Sequence, residues 1–262
     1  MSKIITLTSD FGLQDHYVSA MKAAVLEVEP EARLVDISHE IPPQDIMAGA
    51  WVIRNVAFMY PKGSIHLVVV DPGVGTKRHP VIVKMNGHYF VGPDNGIFSL
   101  LYDQYKYEAV KLNKPKYWRK SRGNTFDGRD IFGPVAAHLS NGVPMQEMGD
   151  PIEEMVVYHW AVPIGDKDGL QGWVLHIDRF GNLITNITES LIREYVGDRK
   201  VKVYVGTTVV NDIVNTFGDV EEGDPAVFIG SSGMLEIGIN KGNAAELLSV
   251  HKGAQISLVL QK

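Results

Sequence analysis

The chain has 262 residues, a hydrophobic fraction of 45% and a formal net charge of −6, which suits a soluble protein with one large domain or two moderate ones. The absence of cysteine excludes disulfides, zinc–thiolate sites and a thiol nucleophile, and the negative charge argues against a nucleic-acid partner. The apolar run in the opening MSKIITLTSDFG is too short for a signal peptide, and no later run is long enough to span a membrane, so we expect a cytoplasmic protein.

The N-terminal half alternates short apolar runs with amphipathic stretches. Strands are predicted at 4–8, 33–37 and 64–70, and helices between them at 16–28 and 44–58. This alternation indicates parallel βαβ units whose helices cover both faces of the sheet.

The next segment contains a hairpin signal and a further helix. Apolar runs at 81–85 and 88–91 flank Asn86-Gly87, a pair typical of a two-residue hairpin turn. After a strand predicted at 108–112, the sequence TFDGRD opens a helix that we expect to end at Asn141-Gly142.

The pattern changes near Gly165, where Asp, Gly and Lys occur without periodicity and suggest a linker. Beyond it one helix is predicted at 189–195, among short strands at 173–177, 183–187, 201–205, 226–229 and 256–260. We therefore predict an α/β domain over 1–165 and a smaller antiparallel β-barrel domain over 170–262.

Candidate chemistry begins in the stretch VVVDPGVGTKRH, where an apolar run ends at Asp71 and Arg78 follows seven positions later. The carboxyl ends of strands are where ligands bind in α/β sheets, and the intervening glycines let the backbone approach a ligand. The alternative is a surface ion pair that closes a turn, worth under about 1 kcal/mol. We favour the functional interpretation.

Three other loops carry candidates. Asp10 follows the first strand. A carboxylate at this position either accepts hydrogen bonds from ribose hydroxyls or caps a turn. Phe126 and Asp127 precede Gly128, at a helix start that favours anions. In the second domain, DRFGN at 178–182 and NTFGD at 215–219 place aromatic and amide groups on turns, where they either bind a planar base or only build the turn.

Metal and hydrolase-triad chemistry are not indicated. The nine histidines are scattered, and neither His39-Glu40 with Asp45 nor His79 near Asp71 has the spacing of a metal site. No G-x-S-x-G nucleophile elbow or G-x-x-x-x-G-K-[ST] phosphate loop is present. We expect neither a metal nor a cofactor.

Taken together, the segments SDFG, DPGVGTKR, GPDNG, TFDGRD, IDRFGN, TNI and SSGMLEI resemble, in set and order, the S-adenosylmethionine (SAM) hydroxide adenosyltransferases. This family of adenosine-forming SAM hydrolases also includes the SAM-dependent fluorinase and chlorinase. The resemblance covers nearly the whole chain. It implies a Rossmann-like N-terminal α/β domain, a C-terminal β-barrel, and a homotrimer with active sites at subunit interfaces.

The resemblance also implies roles for individual residues when water attacks C5′ of SAM. Asp10 would bind the ribose hydroxyls, and Asp71 with Arg78 would activate the water. Phe180 and Phe217 would enclose the adenine, with Asn182 at its edge. The remaining substrate contacts would come from Asp15, Asp178 and Ser231 at the methionine end, from Phe126 and Gly128 beside the crevice, and from Glu236 and the backbone near Ile239.

This chain departs from its relatives at two places. Halide-using relatives carry Tyr, Thr and Ser where it has Asp71, Val74 and Gly128, and a carboxylate beside a halide site would repel the anion. Hydrolase relatives commonly carry His where it has Asp127, so we expect Asp127 to join the catalytic site. Two alternatives stay open: a SAM- or adenosine-binding protein with little turnover, and a halide-using transferase.

Overall fold

A computed structural model describes residues 3–102, 105–120, 125–158 and 162–261. The chain divides into two compact units, Met1–Tyr158 and His159–Lys262. Among the described residues, none of the helices combines the length and the apolar character needed to cross a membrane.

The N-terminal unit is built on a mixed sheet that has seven strands within the described residues. In chain order they are β1 Ile4–Ser9, β2 Arg33–Ser38, β3 Ile65–Val69, β4 Pro80–Met85, β5 His88–Pro93, β6 Tyr107–Leu112 and β7 Gly149–Pro151. They lie side by side in the order β2-β1-β3-β5-β4-β6-β7. The pairs β1–β2, β1–β3 and β3–β5 are parallel, and the pairs that involve β4 or β7 are antiparallel.

Helices accompany this sheet. They are α1 Tyr17–Val28, α2 Ile46–Val56, α3 Ser99–Tyr102, α4 Gly133–Ser140 and α5 Met145–Met148, with 3₁₀ turns at Ala57–Met59 and Pro115–Tyr117 and a π-helical turn at Gly128–Phe132. The predicted strands and helices of this half are confirmed. The hairpin is confirmed as well, since Asn86 and Gly87 both have the positive φ angles, 47° and 81°, that its turn requires.

The core of this unit lies on both faces of the sheet. Along β3, Leu67 and Val69 pack in one cluster with Met21 of α1 and Val135 of α4. Val68, between them, packs on the other face with residues of α2 and α3. Because successive side chains of a strand point to opposite faces, the continuous apolar run in the sequence reflects a strand buried on both sides.

The C-terminal unit is a nearly closed antiparallel barrel. In its described part the strands are β8 Ile164–Asp166, β9 Gly169–Ile177, β10 Leu183–Thr188, β11 Val201–Val205, β12 Thr208–Val210, β13 Pro225–Ile229, β14 Met234–Ile239 and β15 Gln255–Leu260. Their order is β12-β11-β15-β9-β10-β14-β13, and β8 pairs with β9. Two helices, α6 Glu189–Tyr195 and α7 Ala244–Leu247, and a 3₁₀ turn at Phe217–Asp219 complete the unit.

Two expectations for this half are corrected. The stretch near Gly165 is not a linker, because Ile164–Asp166 forms β8 and pairs with the start of β9 through an Asp-Gly-containing turn. The helix α6 is confirmed but is not alone, since α7 is a short helix capped by Asn243, whose side-chain oxygen accepts from Glu246 N. A charged, glycine-containing hairpin has no apolar run to indicate it, which explains the first error.

Candidate active site

The parallel register of β1 and β3 brings two of the predicted residues to one edge of the sheet. Ser9 at the end of β1 is paired with Val69 at the end of β3. Asp10 and Asp71 follow these residues almost immediately, so both loops leave the sheet at the same edge. This is the place at which α/β sheets bind ligands.

A cleft of about 540 Å³ opens at this edge, a volume within the range of small-molecule sites. Its lining includes the predicted residues Asp10, Asp71, Phe126, Asp127 and Gly128. Asp15 is not part of it: that residue is exposed near the end of the loop, two positions before α1.

The central feature of the cleft is a buried charge cluster of Asp71, Arg78 and Asp127. Arg78 Nε donates to Asp71 Oδ1 at 3.1 Å, and Arg78 Nη2 donates both to Asp71 Oδ2 and to Asp127 Oδ2, the latter at 2.6 Å. The side chains of Asp71, Arg78 and Asp127 are only 6%, 10% and 5% exposed. The alternative of a surface ion pair is therefore wrong.

Burial dominates the proton affinity of Asp71. It raises the pKa of the Asp71 carboxyl above its usual value, and the neighbouring Asp127 adds to this, although Arg78 opposes both. For Arg78, burial alone would lower the pKa, but its bonds to the two carboxylates outweigh this and raise it. The guanidinium also lies 5.4 Å from the ring centre of Phe132, which packs beneath it.

The rest of the cleft wall is aromatic. The rings of Phe11, Tyr17 and Phe126 lie 5.4 to 6.0 Å apart at steep angles. A Cβ added to Gly128 would approach Phe11 and Phe126 at 3.3 Å each. Glycine therefore lets the π-helical turn pack closely on these rings, and a serine here would require them to shift.

Sequence reasoning missed several lining residues. Tyr17, Pro43 and Gln44 belong to no motif. Gln44 has a positive φ of 66°, and its N–H donates to Asp10 Oδ2 at 2.8 Å. The Pro42-Pro43 pair directly before Gln44 is the signal that could have indicated an ordered turn facing Asp10.

In the C-terminal unit, Asp178 organises the turn between β9 and β10. Its Oδ1 accepts from the N–H groups of Phe180 and Asn182 at 2.9 and 2.8 Å, and its Oδ2 accepts from Asn182 Nδ2 at 2.9 Å. The DRFGN segment therefore builds the turn between these two strands. Phe180 is left 76% exposed at the tip of the turn.

Asn182 and Phe217 converge over Gly238 of β14. A Cβ at position 238 would meet Phe217 Cε1 at 2.4 Å and Asn182 Oδ1 at 2.6 Å, so only glycine permits this arrangement. Phe217 is held from the side by Phe228, with ring centres 4.7 Å apart. An aromatic face and an amide thus lie next to each other, as a planar base requires.

The other predicted residues of this unit lie around β14. Glu236 accepts from Ser232 Oγ at 3.3 Å, and burial, together with the charge of Asp178, raises the pKa of its carboxyl. Ser231 is exposed in the neighbouring turn, whereas the side chain of Ile239 belongs to the barrel core.

The sheet-edge cleft and the barrel define a two-domain α/β protein with a cleft of small-molecule size. The chain matches the models of the SAM hydroxide adenosyltransferase N-terminal domain at residues 5–149 and of its C-terminal domain at residues 172–257. It is 37% identical to the (R)-S-adenosyl-L-methionine hydrolase of Thermus thermophilus, covering 96% of this chain and 97% of that one. The chain belongs to the SAM hydroxide adenosyltransferase family.

Two further comparisons agree with this assignment. A fluorinase from an Actinoplanes species is 25% identical, with 97% of both chains covered. The crystal structure of an uncharacterized conserved protein from Thermotoga maritima superposes with a TM-score of 0.91 at 35% identity, covering 98% of this chain and 100% of that one. The expected two-domain architecture is confirmed by the family match.

Proposed function

We propose that this chain hydrolyses S-adenosyl-L-methionine to adenosine and L-methionine, by attack of a water molecule on C5′ of the ribose. The observation that carries the proposal is the buried Asp71–Arg78–Asp127 cluster, which presents carboxylates to a cleft of substrate size. The (R)-SAM hydrolases among the relatives support the same chemistry.

The charge of the cluster favours water over a halide as the nucleophile. With both carboxylates ionised, the cluster carries one net negative charge, and Asp10 adds another to the same cleft. This field attracts the cationic sulfonium of SAM and repels a halide anion. The sulfonium is neutralised as it leaves, so the reaction needs in-line placement and a base rather than an acid.

Asp71 is the best-placed base. Burial raises the pKa of its carboxyl, which makes it a stronger proton acceptor than an ordinary aspartate. Arg78 fixes both of its oxygens, so the carboxylate has one orientation toward the cleft. Asp127 holds the same guanidinium nitrogen and joins the site in place of the histidine of related hydrolases.

Substrate recognition is proposed to follow the family pattern. The adenine would stack between Phe217 and Phe180, with Asn182 at its edge. Asp10 would accept hydrogen bonds from the ribose hydroxyls. The remaining contacts are assigned to Phe126 and Gly128 and, toward the methionine, to Asp15, Asp178, Ser231, Glu236 and the backbone near Ile239.

The oligomeric state and the cellular location of the enzyme belong to the same proposal. We propose a cytoplasmic homotrimer that acts without a metal or cofactor and whose active sites lie at subunit interfaces. Size-exclusion chromatography with light scattering tests the trimer, and a monomeric mass for an active protein would overturn it. Dialysis against EDTA should leave turnover unchanged.

The function is tested by incubating the purified protein with SAM and quantifying adenosine. We expect wild-type turnover, and a loss of at least about a hundredfold in kcat for Asp71→Asn. Asp198→Asn, which changes an exposed aspartate of the other unit, should match the wild type. Calorimetric binding of SAM without adenosine release would indicate a binding protein instead, and 5′-halo-5′-deoxyadenosine formed only with added halide would indicate a transferase.

A separate variant tests the place of Asp127. Asp127→Asn keeps the size of the side chain but removes the negative charge beside Arg78, so kcat should fall while the affinity for adenosine is kept. Turnover equal to that of the wild type would remove Asp127 from the mechanism.

A further inference from the structure

A second cavity of about 460 Å³ lies against the charge cluster in the N-terminal unit. We call it the rear cavity; it is lined by Arg78, Lys111, Asn113, Trp118 and Asp127, among others. Its volume is sufficient for on the order of ten water molecules, and its polar lining offers them hydrogen-bond partners. The family resemblance assigns no role to it.

The charge cluster separates this cavity from the substrate cleft. Asp71 lines the cleft, Arg78 lines the rear cavity, and Asp127 lines both. The two carboxylates are joined through Arg78 Nη2. The cluster therefore extends from the wall of the cleft to the rear cavity, and Asp127 lines both spaces.

The rear cavity reaches the protein surface at Asn113. The Asn113 side chain lines the cavity and donates through Nδ2 to Asp150 Oδ2 at 2.5 Å. The side chain of Asp150 is 60% exposed and also binds Lys114 Nζ at 2.7 Å. Asn113 thus stands at the rim, between the interior of the cavity and solvent.

The proposed reaction needs both a water and an outlet for a proton in each turnover. The water oxygen forms a bond to C5′, the C5′–S bond breaks with its electron pair on sulfur, and one proton is released with adenosine and methionine. Arg78 cannot carry this proton, because a guanidinium does not deprotonate in proteins. Asp71 takes the proton from the attacking water, and water in the cleft can pass it to Asp127, which lines both spaces and can release it to the rear cavity.

We propose that the rear cavity is a solvent passage for the proton, which it receives through Asp127 while SAM occupies the cleft. The proposal rests on the hydrolase function. It gives Asp127 a role of its own: a carboxylate at this position connects the reacting water with solvent behind the cluster.

Two tryptophan substitutions test the passage. Asn113→Trp places an indole at the rim and removes one contact to Asp150, whereas Lys114→Trp introduces the same indole outside the cavity and removes the other contact to Asp150. We expect Asn113→Trp to lower kcat about tenfold, with a larger solvent deuterium effect on kcat. The KM for SAM and the Kd for adenosine should stay within about twofold. Lys114→Trp should match the wild type in kcat, in the solvent deuterium effect, in the KM for SAM and in the Kd for adenosine.

The outcomes separate the passage from the function. If the wild type hydrolyses SAM and Asn113→Trp has the same kcat and isotope effect, the passage is overturned and the hydrolase function is not. A wild type that releases no adenosine overturns the proposed function and the passage with it. If Asn113→Trp does not fold, Lys111→Trp replaces it, because an indole at this position narrows the same cavity from β6. It should likewise lower kcat and enlarge the isotope effect, and wild-type values for both would overturn the passage.

Discussion

Replacing Arg78 by methionine should destabilise the N-terminal unit more than any surface charge change. The substitution keeps an apolar stem over Phe132 but leaves Asp71 and Asp127 buried without their cation. Both carboxylates bind the same nitrogen, so their oxygens lie roughly 5 Å apart. At an effective dielectric constant near 20 their repulsion is about 3 kcal/mol, in line with the about 3–5 kcal/mol lost when one partner of a buried ion pair is removed.

The loss of stability in Arg78→Met should depend on pH in a defined direction. Without Arg78 the pKa of the Asp71 carboxyl, already raised by burial, rises further. The folded state then holds a proton that the unfolded state releases, so the free energy of unfolding of the variant decreases as the pH rises from about 4, the pKa of an unfolded aspartate, toward the raised pKa of the folded state. Urea unfolding followed by circular dichroism should therefore show a larger penalty at about pH 7.5 than at about pH 4, near the pKa of an unfolded aspartate.

The control is Arg193→Met, which breaks an exposed pair with Glu189 in α6 and should cost less than about 1 kcal/mol at either pH. If Arg78→Met costs no more than Arg193→Met, or if its penalty does not decrease on acidification, the description of a buried charge cluster is wrong.

Two further predictions concern stability. Burial lowers the pKa of His66 to about 3. The free energy of unfolding should therefore fall as the pH drops from about 6.5, the pKa of a histidine in the unfolded chain, toward about 3. In urea titrations His66→Gln should reduce this dependence on acid pH, whereas replacing the exposed His251 by Gln should not. Gly181→Ala should lower the melting temperature more than Gly253→Ala: both glycines have φ near +84°, but only at 181 would a Cβ meet Asn243 Oδ1, at 1.9 Å. Equal losses would contradict this.

The sequence predicted those parts of the fold in which local pattern and tertiary environment agree. The run at 64–70 identified β3 because that strand is buried on both faces, and Asn86-Gly87 identified a hairpin because its turn needs two positive φ angles. The strand β14 was missed, although its segment was quoted as a motif. Glu236 and Gly238 interrupt its apolar pattern: the Glu236 carboxylate accepts from Ser232, and Gly238 leaves room for Asn182 and Phe217.

For the site, the sequence indicated the members but not their arrangement. Asp71 and Arg78 belong to one loop, so their pairing followed from spacing. The contact between Arg78 and Asp127 spans 49 positions, and only the fold brings these residues together. Tyr17 and Gln44 enter the cleft because α1 and the turn before α2 begin at the same sheet edge, which no motif records.

The most direct test of the central claim is a single-turnover reaction with SAM in H₂¹⁸O, analysed by mass spectrometry. The mechanism predicts one adenosine for each methionine, with ¹⁸O in the 5′-hydroxyl, because the attacking water forms its new bond at C5′. Adenosine without the label, or SAM recovered intact from a protein that binds it, would contradict the assignment of Asp71, Arg78 and Asp127 to the activation of water.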